Sequence, residues 1–382
     1  MPIITDQEAL EKQCKALSNE EYITVDTEFL RDKFYYPKLC LIQIASKETA
    51  FAVDPLVSDI NLDPVFKLLS NKKIVKVFHS ARQDIEIIFN LSGTIPEPVF
   101  DTQVAAMVCG YGASASYATL VSEITGHHVD KSSRFTDWSR RPLSNKQIDY
   151  AISDVTHLRD VYESLKKELE ENKRESWLAE EMQTLTSKEN YTVDPDKAWE
   201  RLKPKGMSRR FLGILRELAK WRELTAQKSN KPKTHIIKDP ALLEIAAVAP
   251  ESKEQLRSIR AIGSIKKDFE SEIIAAIQYA KELPEIELPE KRKTIKRSNS
   301  NEALTDLLKI ILKAKCEEMH VAEKLVASAD DIKKIANNDP DAPVFSGWRK
   351  KIFGQYVEQL KNGKLALSLK NGKIELIDTP TK

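Results

Sequence analysis

The most informative chemical feature of the sequence is a pair of acids two positions apart. Asp26 and Glu28 lie in the run YITVDTEF at 22–29, whose β-branched and aromatic residues predict a strand. Side chains alternate across a strand, so both carboxylates are expected on one face. Burying them together is costly, and a bound cation is one standard way to offset that cost. A strand-end charge pair without a metal is the alternative that this motif alone leaves open.

Two further acids and a tyrosine complete the candidate set. Asp84 falls in the first turn of a predicted helix, where it could instead serve only the helix N-terminus. Tyr150 and Asp154 are four residues apart on a long predicted helix and therefore share a face. Tyr150 would orient a water molecule rather than act as a base, because the unperturbed pKa of tyrosine is about 10.

Four carboxylates suit hard, oxygen-preferring cations such as Mg²⁺ or Mn²⁺. Two such ions roughly 3.5–4 Å apart can assist an in-line phosphoryl displacement. One ion activates the attacking water, and the other neutralises charge on the leaving oxygen. The set therefore predicts metal-dependent phosphodiester chemistry, provided that the fold brings the four acids together.

Short apolar segments surround these acids and predict a mixed α/β sheet over the first half of the chain. Strands are expected at 22–29, 39–46, 49–56 and 74–79, with a helix near 62–70. The short connections between the first three strands favour antiparallel pairing. Two capping-box patterns, Ser80 with Gln83 and Ser144 with Gln147, predict helix starts at both serines. The second of these helices is expected to reach about residue 170.

The second half of the sequence predicts helices alone until its last residues. Apolar stripes at helical spacing begin near residues 211, 269 and 304, and a Pro-containing, charged linker at 284–297 separates two helical segments. The tail at 365–377 alternates around Asn371-Gly372, which predicts a β-hairpin because both turn positions need positive φ.

Charge and composition bound the class of protein. The 382 residues predict two or three domains, and 41% hydrophobic against 31% charged residues indicates a soluble globular protein. The net charge of +2 hides residues 201–238, where twelve Lys or Arg oppose two acids. Such a cluster favours phosphate backbones through counterion release. The shorter run KRKTIKR at 291–297 is by itself more typical of a solvated tract.

Several classes are disfavoured by what the sequence lacks. The four cysteines are far apart and form no CxxC, so reduced thiols of a cytoplasmic protein are expected. No signal-peptide pattern opens the chain, and no stretch approaches about 18 apolar residues, so no membrane association is expected. No P-loop pattern occurs, which disfavours a helicase.

The order and spacing of the motifs resemble the bacterial ribonuclease D family. The segments at 25–45, 78–89, 100–103 and 136–155 resemble its exonuclease motifs, and those at 216–239 and 346–354 resemble its two helical HRDC domains. The resemblance implies a DEDD-type 3′→5′ exonuclease of the tyrosine subclass. Its implied architecture is an α/β RNase H-like exonuclease domain (a mixed sheet with helices) followed by two all-α HRDC domains. The expected limits are 1–175, 205–285 and 298–378, the last including the hairpin.

The resemblance also implies roles for individual residues. The implied metal ligands are Asp26, Glu28, Asp84 and Asp154, and Tyr150 orients the water. The implied substrate neighbours are Phe29, His79, Lys131 and Trp138. Phe135 departs from the polar pattern that the family shows in this loop.

The function implied is hydrolysis of phosphodiester bonds at RNA 3′ ends, with two Mg²⁺ or Mn²⁺ ions and release of 5′-mononucleotides. The expected partner is RNA with a single-stranded 3′ end, such as a tRNA precursor, acted on by a cytoplasmic monomer. Lys203, Lys205, Arg209 and Arg210 of the basic segment are expected to bind phosphates. A DNA 3′→5′ exonuclease is one alternative, since two-metal chemistry needs no 2′-hydroxyl. A catalytically silent RNA-binding adaptor is another.

Five other residues favour structural roles. His127 and His128 are adjacent in a Gly-flanked segment and predict a surface loop rather than a metal site. Asp101 is expected to cap a helix rather than serve as a fifth ligand. Trp199 and Trp221 could stack on RNA bases, but their apolar neighbours favour core positions.

Overall fold

A six-stranded mixed sheet organises the first half of the chain. The computed structural model describes residues 3–130, 132–202, 204, 207–262, 267–291 and 300–379. The strands are β1 (Ile3–Ile4), β2 (Tyr22–Leu30), β3 (Lys38–Ala45), β4 (Ala50–Val53), β5 (Val75–Phe78) and β6 (Val99–Asp101). They lie in the order β1-β4-β3-β2-β5-β6. The pairs β2–β3 and β3–β4 are antiparallel, as predicted, and the other three pairs are parallel.

Among the described residues, seven α-helices accompany this sheet. They are α1 (Gln7–Ala16), α2 (Asp63–Leu69), α3 (Arg82–Ser92), α4 (Thr102–Cys109), α5 (Tyr117–Thr125), α6 (Asn145–Glu171) and α7 (Glu175–Leu185). The capping box that opens α6 is confirmed: Gln147 N donates to Ser144 Oγ at 3.3 Å, and Ser144 N donates to Gln147 Oε1 at 3.0 Å. The long helix that carries Tyr150 and Asp154 therefore begins where the sequence predicted.

The other predicted capping box, at Ser80, is wrong. α3 begins at Arg82, and Ser80 has φ +63° rather than the extended conformation of a cap. Its N–H and that of Ala81 donate to the Asp101 carboxylate at 3.0 and 2.8 Å. The same carboxylate accepts from Gln103 N at 2.8 Å, so the predicted capping role of Asp101 is confirmed. A partner distant in the chain thus overrides the local motif.

The second half is helical until its final hairpin, as predicted. Its first module contains α8 (Arg209–Ser229), α9 (Lys233–Ile236), α10 (Asp239–Val248), α11 (Lys253–Arg257) and α12 (Lys267–Glu282). The second contains α13 (Ser300–Glu318), α14 (Glu323–Val326), α15 (Ala329–Ala336), α16 (Gly347–Arg349) and α17 (Gln355–Lys361), with a π-helical turn at Lys350–Gly354. The hairpin pairs β7 (Leu365–Lys370) with β8 (Lys373–Asp378). Asn371 and Gly372 have φ of +52° and +77°, as the predicted turn requires.

The two modules meet the exonuclease domain differently. The first has its own hydrophobic core, whereas the core of the second is continuous with that of the sheet domain. Trp177 of α7 stacks on Trp348 of α16 with ring centroids 4.9 Å apart. Glu181 accepts hydrogen bonds from the Trp348 indole at 3.0 Å and the Arg349 guanidinium at 2.8 Å.

The first module touches the exonuclease domain through the loop that follows β2. The Tyr35 hydroxyl donates to the buried Glu223 carboxylate of α8, and Gln227 Nε2 donates to that hydroxyl at 3.2 Å. Tyr36 N donates to Asn230 Oδ1 at 2.9 Å. This module is therefore attached just beyond the strand that bears Asp26.

The tryptophans, histidines and cysteines considered in the sequence have defined positions in the structure. Trp199 is buried in the first module's core, and Trp221 packs beside it, edge-on to Phe269. His127 and His128 are exposed, as expected of a surface loop. The four cysteines are free and buried. Among the described residues, no helix is both long and apolar enough to span a membrane.

Candidate active site

Asp26 and Glu28 lie on β2 in the middle of the sheet, where β2 extends beyond the end of β5. The parallel pairing of β2 with β5 ends at Thr24 and Val77, so residues 25–30 pair only with β3. Asp26 and Glu28 lie on this extension, just before a β-bulge between Glu28 and Phe29. The end of β5 leaves open space beside them, which is the usual place for a ligand in an open α/β sheet.

Helix α6 brings a third acid, Asp154, close to Asp26 and Glu28. Asp26, Glu28 and Asp154 each present a carboxylate oxygen, and the three oxygens lie within 4.8 Å of one another. Thr24 Oγ1 donates to Val155 O at 2.7 Å and so fixes α6 against β2. Two segments that are distant in the sequence, β2 and α6, therefore meet, as the metal-site hypothesis requires.

Asp84 lies beside this trio. It is 6% exposed in the first turn of α3, and its Oδ1 accepts a hydrogen bond from Thr27 Oγ1. Thr27 is the β2 residue between the two strand acids. Burial, followed by the charge of Asp26, raises the Asp84 pKa well above its ordinary value. Asp84 thus has a contact to the acid-bearing strand itself.

The acids raise one another's pKa values. Burial, the larger cause, and neighbouring carboxylates raise the pKa of Asp154 to about 8 and that of Glu28 to about 10. Burial also raises the pKa of Asp26 to about 6. Like charges packed in a poorly solvated site favour protonation, whereas a divalent cation would favour the ionised forms. The donor set consists of carboxylate oxygens and therefore fits Mg²⁺ or Mn²⁺.

Tyr150 stands over Asp154 on the same face of α6. Its hydroxyl interacts with the Asp154 carboxylate, which acts to lower the pKa of that acid against the larger effect of burial. Burial, followed by the charges of Asp154 and Glu28, raises the Tyr150 pKa well above its ordinary value. The phenol therefore stays protonated at neutral pH and can orient a water but not abstract its proton.

A cavity of about 340 Å³ opens beside these groups. Asp26, Tyr150 and Asp154 line it together with His79, Ser80, Gln103, Ser114, Ser116, Tyr117, Ala118, Val129, Arg134 and Leu158. Its volume is near the lower end of the range for small-molecule sites, so it suits one nucleotide rather than several.

His79 faces this cavity with a defined tautomer. Its Nδ1 lies 3.0 Å from Thr102 Oγ1, whose own proton is donated to Phe78 O at 3.0 Å. Nδ1 must then carry the proton, which leaves Nε2 as an acceptor. Burial lowers the His79 pKa to about 4, so the ring is neutral at pH 7.

The other predicted substrate neighbours have different positions. Phe29 is half-buried, and the Arg31 guanidinium carbon lies 5.8 Å from its ring centroid. Trp138 is 2% exposed and packs against Tyr150, with ring centroids 6.0 Å apart. Its contact with substrate stays a prediction. Lys131 lies outside the described residues.

Arg209 and Arg210, which were predicted to bind phosphates, donate to backbone carbonyls of the protein itself. Arg210 Nη1 donates to the carbonyls of Ala280, Lys281 and Leu283 at 3.1, 3.1 and 2.7 Å. Arg209 Nη2 donates to Leu288 O at 2.8 Å. Carbonyls at the end of a helix lack intrahelical donors, and the Arg210 guanidinium supplies one at the end of α12. Lys203 and Lys205 lie outside the described residues.

Two residues that line the cavity, Tyr117 and Arg134, were not among the site residues predicted from the sequence. Tyr117 donates from its hydroxyl to Ser153 O at 2.9 Å and thereby braces α6 next to Asp154. Arg134 lines the cavity from the loop before α6. No spacing signal marks either residue, although the unusual Phe135 draws attention to the second.

Comparisons with known proteins agree with this geometry. A sequence model described as a 3′-5′ exonuclease matches residues 1–170, and an HRDC domain model matches residues 211–277. The fold and the acid cluster together define a 3′→5′ exonuclease with an RNase H-like catalytic domain.

Relatives that match nearly the whole chain identify the family within this class of exonucleases. Ribonuclease D of Granulibacter bethesdensis is 46% identical, covering 99% of this chain and 96% of that protein. Ribonuclease D of Nitrobacter hamburgensis is 44% identical over 99% of this chain and all of that protein. The crystal structure of Escherichia coli RNase D, described as an exoribonuclease involved in structured RNA processing, has a TM-score of 0.86 and 28% identity. It covers 95% of this chain and 98% of that one. The chain belongs to the ribonuclease D family and is a 3′→5′ exoribonuclease.

Proposed function

We propose that this exoribonuclease removes nucleotides one at a time from single-stranded RNA 3′ ends and releases 5′-mononucleotides. The observation that carries the proposal is the cluster of Asp26, Glu28 and Asp154 oxygens within 4.8 Å, at the edge of a cavity sized for one nucleotide. A 3′-terminal nucleotide in that cavity would place its phosphodiester beside the acids.

Two divalent ions, Mg²⁺ or Mn²⁺, would be held by Asp26, Glu28, Asp84 and Asp154. When bound, such ions supply Lewis-acid activation of the attacking water and charge neutralisation at the leaving 3′-oxygen. The protein contributes the fixed positions of the acids, through the Thr27 hydrogen bond to Asp84 and the anchoring of α6 to β2.

We further propose, on the basis of Tyr150, that the chain belongs to the tyrosine subclass of DEDD exonucleases. Its protonated hydroxyl would hydrogen-bond the attacking water and hold it in line with the scissile bond. The Asp154 carboxylate lies beside the same hydroxyl and would limit its orientation. The role is positioning, because the raised pKa excludes general-base work near neutral pH.

His79 would contact the sugar of the terminal nucleotide. Its Nε2 is an acceptor at neutral pH, and ribose hydroxyls are donors that a neutral imidazole can bind. A 2′-hydroxyl is the group by which a protein tells RNA from DNA. Phe29, directly after the motif acid Glu28, would pack near the same nucleotide.

The region 298–378 would form a second HRDC domain. The order of elements in the first module recurs 90 residues later: left-handed residues at Asn230 and His320, four-residue helices from Lys233 and Glu323, and longer helices from Asp239 and Ala329. The constant spacing supports a diverged duplication. The exonuclease domain would then occupy 1–175 and the first HRDC domain 205–285.

The physiological substrate would be the 3′ extension of a structured RNA such as a tRNA precursor, processed in the cytoplasm by a monomer. The test is degradation of a 3′-extended tRNA in Mg²⁺ or Mn²⁺, beside an EDTA control and a DNA oligonucleotide with the same 3′ overhang. We expect stepwise shortening of the RNA, release of 5′-monophosphates, and slower loss of the DNA. Equal turnover of both would favour a general exonuclease, and binding without turnover would favour an adaptor.

A further inference from the structure

The loop before α6 carries an arginine and an exposed aromatic ring at the mouth of the catalytic cavity. Arg134 lines the cavity with Asp26, Tyr150 and Asp154, and it is the one Lys or Arg among the described lining residues. Its guanidinium carbon lies 5.3 Å from the centroid of the Phe135 ring. Phe135 is 90% exposed, so its ring is free to stack on a ligand.

The Arg134 charge acts on the catalytic acids without being paired to any of them. It is among the causes that lower the pKa values of Glu28 and Asp154, although other causes dominate. Within the described part of the chain, Arg134 forms no salt bridge. A free cation at a site of several acids reduces the repulsion that an incoming phosphate would meet.

The loop is tied to the helix that bears the catalytic side chains. Thr136 Oγ1 donates to Ser133 O at 2.8 Å, and Ser133 is 5% exposed. Gln147 Nε2, from the first turn of α6, donates to Thr136 Oγ1 at 3.1 Å. These hydrogen bonds connect the loop that carries Arg134 and Phe135 to α6, the helix that carries Tyr150 and Asp154.

We propose that Arg134 and Phe135 form a substrate clamp in which the guanidinium binds a non-bridging oxygen of the scissile phosphate and the ring stacks on the penultimate base. The assignment rests on the proposed function. The cavity holds one nucleotide, so the scissile phosphate lies at its mouth and the next nucleotide lies outside it. Phe135, which is exposed next to Arg134 and is not in the cavity lining, would meet the base of that outer nucleotide. Such a base–aromatic contact is tolerant of sequence because every base has a π-face.

The clamp divides into two contacts that separate variants can test. For Phe135→Ala we expect KM for single-stranded RNA to rise about tenfold, with kcat changed little. Phe135→Trp retains an aromatic ring and should keep KM near the wild-type value. For Arg134→Gln we expect kcat/KM to fall about 10- to 100-fold, since a charge-assisted hydrogen bond is lost. Arg140→Gln is the matched control, because Arg140 is exposed nearby and pairs with Asp137.

An abasic nucleotide at the penultimate position provides the decisive substrate. It retains every phosphate and removes only the base on which Phe135 would stack. We expect Phe135→Ala to have no further effect on this RNA, whereas Arg134→Gln should impair its cleavage as before. Anisotropy of labelled RNA in EDTA should show the same pattern in binding, with the salt slope of Arg134→Gln reduced by about one ion.

Each contact has a result that overturns it. An equal effect of Phe135→Ala on intact and abasic RNA would exclude stacking on that base, and Arg134→Gln indistinguishable from Arg140→Gln would exclude the phosphate contact. Failure of the proposed function would look different. The wild-type protein would then bind RNA in a Phe135-dependent manner without shortening it.

Discussion

Thr24 Oγ1 donates a hydrogen bond of 2.7 Å to the carbonyl oxygen of Val155, the residue after Asp154. Thr24 is fully buried on β2, two residues before Asp26. This contact helps to set the spacing between the strand that bears two acids and the helix that bears the third, together with the Tyr22 hydroxyl bond to Glu163 at 2.7 Å.

Replacing Thr24 with valine should loosen that spacing while preserving side-chain shape. We expect a loss of about 1–2 kcal/mol in the free energy of unfolding, because a buried hydrogen bond is removed. We also expect a fall in kcat on RNA, since the cluster is less well held. Denaturant unfolding and steady-state kinetics measure the two effects. Thr24→Ser keeps the hydroxyl and should recover most of the kcat; a kcat unaltered in Thr24→Val would show that the contact does not position the acids.

Some of this site was predictable from local geometry. The two-residue period of a strand put Asp26 and Glu28 on one face, and the four-residue spacing on a helix did the same for Tyr150 and Asp154. Both relations hold within one element, so no tertiary information was needed.

Contacts between distant segments account for what the sequence analysis did not predict. Ser80 matches a capping box, yet Asp101, twenty-one residues later, accepts the N–H of Ser80 and that of Ala81. Arg210 belongs to a basic segment, yet its guanidinium bonds carbonyls seventy and more residues away. Local patterns and charge counts do not encode such partners.

The raised carboxylate pKa values predict how the metal-free protein responds to pH. In the unfolded chain Asp154 and Glu28 ionise near pH 4, whereas in the folded protein their pKa values are about 8 and 10. The folded state therefore binds more protons between these limits, and its stability falls as pH rises from about 4 towards 8 and beyond.

Thermal melts in EDTA should accordingly show a lower Tm at pH 8.5 than at pH 6. Glu28→Gln removes one of the strained acids, so we expect its Tm to exceed that of the wild type at pH 8.5 and to depend less on pH. Mn²⁺ should raise the wild-type Tm more at pH 8.5 than at pH 6, because fewer protons must be displaced. An equal Mn²⁺ shift in Glu28→Gln would argue against Glu28 as a ligand.

Arg210 offers a test of the role of the basic segment. Three carbonyls at the end of α12 accept from its guanidinium, so Arg210→Gln should cost about 1–3 kcal/mol in unfolding free energy. The salt dependence of RNA binding should stay unchanged. The exposed Lys228 of the same segment is the comparison: Lys228→Gln should leave stability unaltered. Unfolding titrations and binding at several salt concentrations measure both; a reduced salt slope in Arg210→Gln would support the phosphate role.

The Tyr35 hydroxyl bond to Glu223 predicts coupling between the first helical module and the catalytic strand. Tyr35→Phe removes one hydrogen-bond donor to the carboxylate of Glu223, a residue that is 1% exposed. The Lys233 Nζ atom, 3.2 Å from Glu223 Oε2, remains. We expect faster amide hydrogen exchange in residues 31–36 and in α8, with the second module unaffected. Tyr36→Phe is the matched control, because Tyr36 is 39% exposed and contacts Asn230 through its backbone. Equal exchange in the two variants would exclude the coupling.

The central claim, that the acid cluster supports metal-dependent removal of RNA 3′ ends, is tested most directly by one comparison. Wild type, Asp26→Asn and the exposed-acid control Asp59→Asn are given 3′-labelled precursor tRNA in Mn²⁺, and labelled 5′-mononucleotide is measured. We predict a rate at least 100-fold lower for Asp26→Asn, an unchanged rate for Asp59→Asn, and none for wild type in EDTA. Release of labelled mononucleotide by Asp26→Asn at the wild-type rate would contradict the account.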